Sequence, residues 1–186
     1  MNKLLHAVVL LSLLTWSVSA ENTTETKSQA PVQESLKLVG EGMMSYLFWD
    51  VYLARLYTKS GTYDQQLNDT AIEFNYELDI KSAALVEETI KQWRELNLDE
   101  HPQEAEWANA LLEIWPDINE GDQLLFHIDE NGHAQFYYNN QFRGEIASPE
   151  FSARFKSIWL SEDTTAPKVR KKLLGDSYKK QSIANS

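Results

Sequence analysis

The sequence predicts an α+β domain, an antiparallel sheet carrying a helical layer on one side. Three observations predict it. Residues 36–58 and 71–78 have a two-residue apolar period, 82–97 and 103–115 switch to a period near 3.6, and 123–147 return to two before a final helical stretch. Strands and helices therefore come in separate runs, as in α+β folds, rather than in strict alternation. The 186-residue chain is long enough for one packed core, and its hydrophobic content of 42% with 11% aromatic residues suits a core built on large rings.

The N-terminus is set apart. Residues 1–20 combine Lys3, an apolar run from Ala7 to Leu14 and the small residues Val18-Ser19-Ala20, the pattern of a cleaved secretory signal peptide. The run is too short to span a bilayer, so the processed chain is expected not to be an integral membrane protein. Residues 21–35 hold little to bury and read as a disordered leader. The chain has no cysteine, so its stability rests on the core, and a periplasmic location is expected. A net charge of −11 argues against nucleic acid and against an anionic membrane as main partners.

The folded domain is expected over 36–175. Leu36–Met44 forms a first strand, in which Gly40 and Gly42 signal a bulge or a close backbone approach. Phe48–Thr58 forms a second, apolar on both faces and so expected to be covered on both. It carries Asp50 and Arg55, which point to opposite faces and need separate partners. Ala71–Leu78 alternates cleanly, with 72, 74, 76 and 78 apolar, and is expected to be half exposed.

Ser82 caps a helix running to Asn97, with Val86, Ile90, Trp93 and Leu96 on one stripe. Pro102 opens a second helix, with Trp107, Ala108, Leu111 and Trp115 on one face and Pro116 as its stop. Glu87, Glu88, Glu104 and Glu106 read as solvated helix-face residues.

In the next hairpin, a Glu130-Asn131-Gly132 loop pairs Phe126 with Phe136 and Ile128 with Ala134, keeping both apolar faces together. Gly132 then takes the left-handed position. Asn139-Asn140 turns into a strand over 142–147. Ser148 caps a helix with Pro149 at its first position and Phe151, Phe155, Ile158 and Trp159 on its stripe. A last short helix, 166–174, ends at Gly175. Lys168, Arg170, Lys171, Lys172, Lys179 and Lys180 read as a basic helix end followed by a frayed tail over 176–186.

The chemistry-bearing motifs are few. There is no Gly-x-Ser-x-Gly elbow, HExxH or phosphate loop, and no cofactor is expected. His127, Asp129 and His133 share a hairpin but could bind metal only with a further ligand, so they read as solvent-facing residues and no metal site is expected.

The ordered motifs resemble a known family. Gly40-x-Gly42, Ala54-Arg55-Leu56-Tyr57, the helix ending at Trp93 and Gly121-Asp122 are followed by Gly144-Glu145-Ile146, Pro149-Glu150-Phe151, Ile158-Trp159-Leu160 and Leu173-Leu174-Gly175. Together they resemble the chalcone isomerase-like family, above all its secreted bacterial members. The resemblance implies an open β-sandwich, a long antiparallel sheet with a helical layer and a ligand cleft between them.

It also implies where a site would lie. The isomerases' oxyanion-holding Arg falls at Met44 and their strand Thr at Tyr52; their Tyr and Asn before the Trp-bearing helix end fall at Lys81 and Glu88. The Arg and Tyr of fatty-acid-binding relatives are likewise replaced. A Met cannot replace a guanidinium, and losing one such donor raises a barrier by about 3–4 kcal/mol. The expectation is a non-catalytic protein holding a lipid or small hydrophobic ligand in a cleft beside Met44, Tyr52, Lys81 and Glu88. The alternatives are an isomerase or lyase with an altered site, in which Lys81 supplies the cation, and a surface-acting adaptor.

Overall fold

The computed structural model describes residues 32–64 and 69–184, and the signal-peptide reading of 1–20 and most of the proposed leader lie outside them. Six strands form one antiparallel sheet in chain order: β1 (Lys37–Tyr46), β2 (Trp49–Thr58), β3 (Thr70–Tyr76), β4 (Gln123–Ile128), β5 (Ala134–Tyr138) and β6 (Gln141–Ile146). Helices α1 (Ser82–Glu95) and α2 (Glu104–Ile114) connect β3 to β4, and α3 (Pro149–Leu160) and α4 (Pro167–Ala184) follow β6. The architecture is α+β, as the segregated periodicities predict.

One face of the sheet makes the core. Ala54, Leu56, Ile72, Phe74, Leu124, Phe126 and Phe136 alternate onto it and meet Val86 and Trp93 of α1, Trp107 and Leu111 of α2, and Phe151 and Phe155 of α3. Rings dominate, with Phe155 edge-on to Phe126 at 4.7 Å and to Phe136 at 5.6 Å between centroids. The hairpin register is as expected. Phe126 opposes Phe136, Ile128 opposes Ala134, Asp129 N–H donates to the His133 carbonyl at 3.0 Å, and Gly132 sits at φ 82°. Asn139 and Asn140 both take positive φ, as a tight turn between right-twisted strands requires. Ser148 caps α3, its Oγ accepting from Phe151 N–H at 3.1 Å.

Several expectations are corrected. β2 is not covered on both sides: Val51, Leu53, Arg55 and Tyr57 are only half-buried, while Ala54 and Leu56 are fully buried. β3 is the reverse, buried at every position but the half-buried Asn75. The physical reason is a charged ladder on the outer face. Arg55 Nε binds Glu41 Oε2 at 3.0 Å on β1, and Nη1 binds Glu73 Oε1 at 2.9 Å on β3, so Glu73 is buried with its partner. Asp50, on the opposite parity, accepts from Ser45 Oγ at 2.6 Å.

Ser82 is the first helical residue of α1 rather than its cap, and Asp117 accepts its N–H at 3.0 Å from 35 residues away. Pro102 lies in the turn before α2, which Gln103 precedes. Glu104 is buried, gripped at both oxygens by Arg94, with Nη1–Oε2 at 3.0 Å, and is not a solvated helix-face residue.

The basic end also differs. Arg170 is buried and its Nε donates to the Leu160 carbonyl at 2.9 Å, closing α3. The helix resumes after a break at Gly175 and runs to Ala184. Val32–Ser35, expected within the leader, forms a 3-10 turn, and Val32 packs beside Leu36, Ala71, Leu125 and Tyr137 on the outer face. His127 is half-buried with Nδ1 3.4 Å from Gln135 Oε1, and His133 faces Glu145 at 3.4 Å, so neither is a free solvent-facing residue. Asp129, His133 and Glu145 bring ligand-type atoms within 4.8 Å of one another, but Asp129 Oδ1 already accepts the turn's Asn131 and His133 N–H groups.

The Gly40/Gly42 signal has a direct cause. A Cβ on Gly40 would lie 2.2 Å from the Lys172 carbonyl oxygen and 2.7 Å from that of Leu173, so only glycine lets α4 rest its backbone on β1. Neither contact can be relieved by a rotamer change, because both atoms belong to backbone. Gly40→Ala should lower the free energy of unfolding by about 2–3 kcal/mol, measured by denaturant titration, while keeping the far-UV circular dichroism of the sheet.

Candidate functional site

Between the sheet and the helical layer the core is not filled. A cavity of about 460 Å³ opens at the end of the sheet where β1, β2 and β3 lie under α1, α3 and the start of α4. Each wall follows from a local pattern. β1 contributes Met44; β2 contributes Tyr52, on the same face as Ala54 and Leu56; β3 contributes Phe74 and Tyr76. α3 lays Phe155, Ile158 and Trp159 over them on one helical stripe, and α1 adds Leu85 and Thr89. The rim is polar, formed by Glu88, Lys91, Gln92 and Thr165.

Two phenols, of Tyr52 and Tyr76, stand inside this apolar enclosure, and that of Tyr46 lies at its mouth. Tyr52 Oη accepts from Trp159 Nε1 at 2.9 Å, and its ring lies edge-on to Phe74 at 5.2 Å and to Tyr76 at 5.6 Å. The indole occupies one lone pair of the Tyr52 oxygen and leaves its O–H proton available as a donor to a ligand. Burial pushes the Tyr52 hydroxyl up to about 12, the Trp159 hydrogen bond opposing, and it pushes Tyr76 higher still. Both are therefore neutral donors throughout the physiological range, not bases. At the rim, Glu88 accepts from Gln92 Nε2 at 2.8 Å and pairs with Lys91 at 3.2 Å, and Thr165 Oγ1 donates to Gln92 Oε1 at 2.7 Å. This last bond ties α1 to the loop before α4 across the opening.

Of the four residues expected beside the cleft, Met44, Tyr52 and Glu88 come together in the cavity wall. Lys81 does not. It precedes α1, is exposed, and holds Asp117 Oδ2 at 2.7 Å, and this hydrogen bond keeps its ammonium charged. The reason is geometric: Lys81 lies outside the helix whose inner face lines the cavity, and its partner stands on the segment after α2. Sequence reading placed Trp159, Phe74 and Tyr76 in the core without assigning them to a site. Their apolar periodicity could mark them as inward-facing, but no local signal tells a packed interior position from a cavity wall.

This geometry agrees with the sequence relationships. A family model described as "Chalcone isomerase-like" matches residues 18–175. The chain belongs to the chalcone isomerase-like family. Within curated sequences it is similar to an uncharacterised protein of Haemophilus influenzae, 24% identical over 137 residues that make up 74% of this chain and 67% of that one. Among solved structures it is similar to a fatty-acid binding protein of Arabidopsis thaliana, with a TM-score of 0.61 and 13% identity over 82% of this chain and 92% of that one, a likeness of fold. The cavity of this chalcone isomerase-like chain lies between sheet and helices, with Met44 in its wall.

The buried phenols also govern behaviour in alkali. The unfolded chain releases a tyrosyl proton from its ordinary value of 10.0, whereas the folded chain holds those of Tyr52 and Tyr63 to about 12. Their contribution to stability is therefore complete below pH 10 and is lost as the pH rises toward 12. Thermal unfolding followed against pH should show a steep fall in this window, and Tyr52→Phe should make it measurably shallower.

Proposed function

We propose that this protein is a non-catalytic carrier that holds a lipid or another small hydrophobic ligand in the cavity between sheet and helices. The observation that carries the reading is the enclosure itself. A volume of about 460 Å³ walled by aliphatic and aromatic side chains lies within the ~300–1,000 Å³ of small-molecule sites. A native core would otherwise be close-packed there, and unfilled apolar volume costs stability. The neutral hydroxyls of Tyr52 and Tyr76 supply hydrogen-bond donors for one polar end of a largely apolar molecule.

The non-catalytic part of the reading rests on the polar groups at the cavity. The cation at the rim, Lys91, pairs with Glu88 at 3.2 Å and Glu95 at 3.8 Å, and Lys81 is engaged by Asp117 outside the wall. With Met44 where the isomerases carry their Arg, a developing oxyanion would meet phenols but no guanidinium. The signal-like residues 1–20 support delivery out of the cytoplasm, and we assign the carrier to the periplasm.

The purified protein, infused under native mass-spectrometric conditions, should carry co-purified lipid mass that denaturation releases. A fluorescent fatty-acid probe should bind in vesicle-free solution, and Met44→Trp, which fills the cavity from β1, should weaken it more than about tenfold with the melting temperature preserved. A protein that emerges empty and takes up no acyl probe would sink the reading.

A further inference from the structure

The β1–β2 hairpin ends in a feature that the cavity does not explain. Tyr46, Leu47, Phe48 and Trp49 are consecutive and lie 69, 77, 98 and 72% exposed. They sit on an overhang. β2 pairs with β1 up to Tyr46↔Trp49, but with β3 only from Tyr52↔Tyr76, so the tip extends past its neighbouring strand. Leu47 occupies a left-handed backbone position at φ 56°, where glycine, asparagine or aspartate is the ordinary choice in a two-residue turn. An apolar side chain is thus placed at the turn against conformational preference and then held in water.

We propose that this tip is a docking element that inserts into the surface of a neutral lipid bilayer. The side chains suit that occupant: Trp49 and Tyr46 have the amphipathic rings favoured at the headgroup layer, and Leu47 and Phe48 at the turn are the parts that reach deepest. A stable protein interface engages about 20–30 residues a side, far more than a four-residue prong supplies. Charge selects the lipid. The tip has no basic residue, the adjoining acid Asp50 is bonded to Ser45, the rim cation beside Tyr46, Lys91, is already paired with Glu88 and Glu95, and the chain carries −11, so attraction comes from apolar burial and not from anionic headgroups. The tip is also continuous with the cavity, because Tyr46 belongs to both and Met44 follows on the same strand. Docking would bring the cavity mouth against the bilayer, so that an apolar ligand could pass between them with little exposure to water. That purpose rests on the carrier reading above; the docking itself does not.

The test is flotation of the processed chain, residues 21–186, with phosphatidylcholine vesicles, together with quenching of tryptophan emission by brominated phosphatidylcholine. Wild-type protein should float, and the partition coefficient should not fall as salt is raised. Phe48→Ser combined with Trp49→Ser should lower it more than about tenfold with unchanged circular dichroism, since each ring withdrawn from water is worth at least a factor of ten. In the chain processed after Ala20, which lacks Trp16, Trp49→Phe should keep flotation and remove the quenchable part of the emission, because Trp93, Trp107, Trp115 and Trp159 are buried. Flotation of the double variant at the wild-type level, or emission of Trp49 that brominated lipid leaves unquenched, overturns the proposal. So does a concentration-dependent dimer abolished by the tip variants in the absence of vesicles, which would make the tip a contact between copies. Uptake of the fatty-acid probe without vesicles reports on the cavity alone, so docking without uptake defeats the carrier reading and uptake without docking defeats this one.

Discussion

Backbone contact between α4 and β1 is the constraint on which the cavity depends. At Gly40 and Gly42 the sheet offers no side chains, and the carbonyls of Lys172 and Leu173 descend onto the strand. The helix is then held from three further points. Gly175 takes φ 51° where a Cβ would lie 2.8 Å from the Val39 carbonyl oxygen, Arg170 binds the end of α3, and Thr165 binds Gln92 of α1. With α4 so fixed, Ala166 closes one end of the cavity, and Met44, two residues beyond Gly42, forms the adjoining wall.

Why the space stays open is a matter of side-chain size along two helices. On α1 the inward face passes from Leu85 and Thr89 to Trp93. At the Trp93 end the layer is solid, with Trp107 and Phe151 each 6.0 Å from the indole. At the Thr89 end the side chain is small, and its hydroxyl turns back to the Leu85 carbonyl at 2.9 Å. On α3, Trp159 is held upright by its bond to Tyr52 and by contact with Phe74 at 4.7 Å, which keeps helix and sheet apart as a strut does. The aromatic residues therefore pack one half of the interior and prop open the other.

Much of this was legible in the sequence, and the misses share a cause. Periodicity and stop signals located the six strands, α1 to α3 and the first part of α4, and turn chemistry set the β4–β5 register to the residue, because both depend on interactions across a few positions. Local pattern does not reveal the burial of a charge whose partner is remote. Glu104 reads as a helix-surface acid until Arg94 is beside it, Arg170 as part of a basic end until the Leu160 carbonyl meets it, and Glu73 as an exposed strand residue until Arg55 spans the pair. Ser82 looked like a cap because the residue that performs the task, Asp117, lies 35 positions away.

By itself the sequence determined the α+β order of elements, the hairpin register and the glycines that admit α4, and its family resemblance implied a cleft beside Met44 and Tyr52. Tertiary structure alone decided that the cleft is an open cavity, that Lys81 is outside it, and that a bare aromatic tip stands at its mouth. The first set is written in short-range patterns of size, polarity and backbone preference. The second depends on distances between segments far apart in the chain, such as the 107 positions between Tyr52 and Trp159, and no local pattern distinguishes an apolar side chain that packs against a neighbour from one that faces empty space or water.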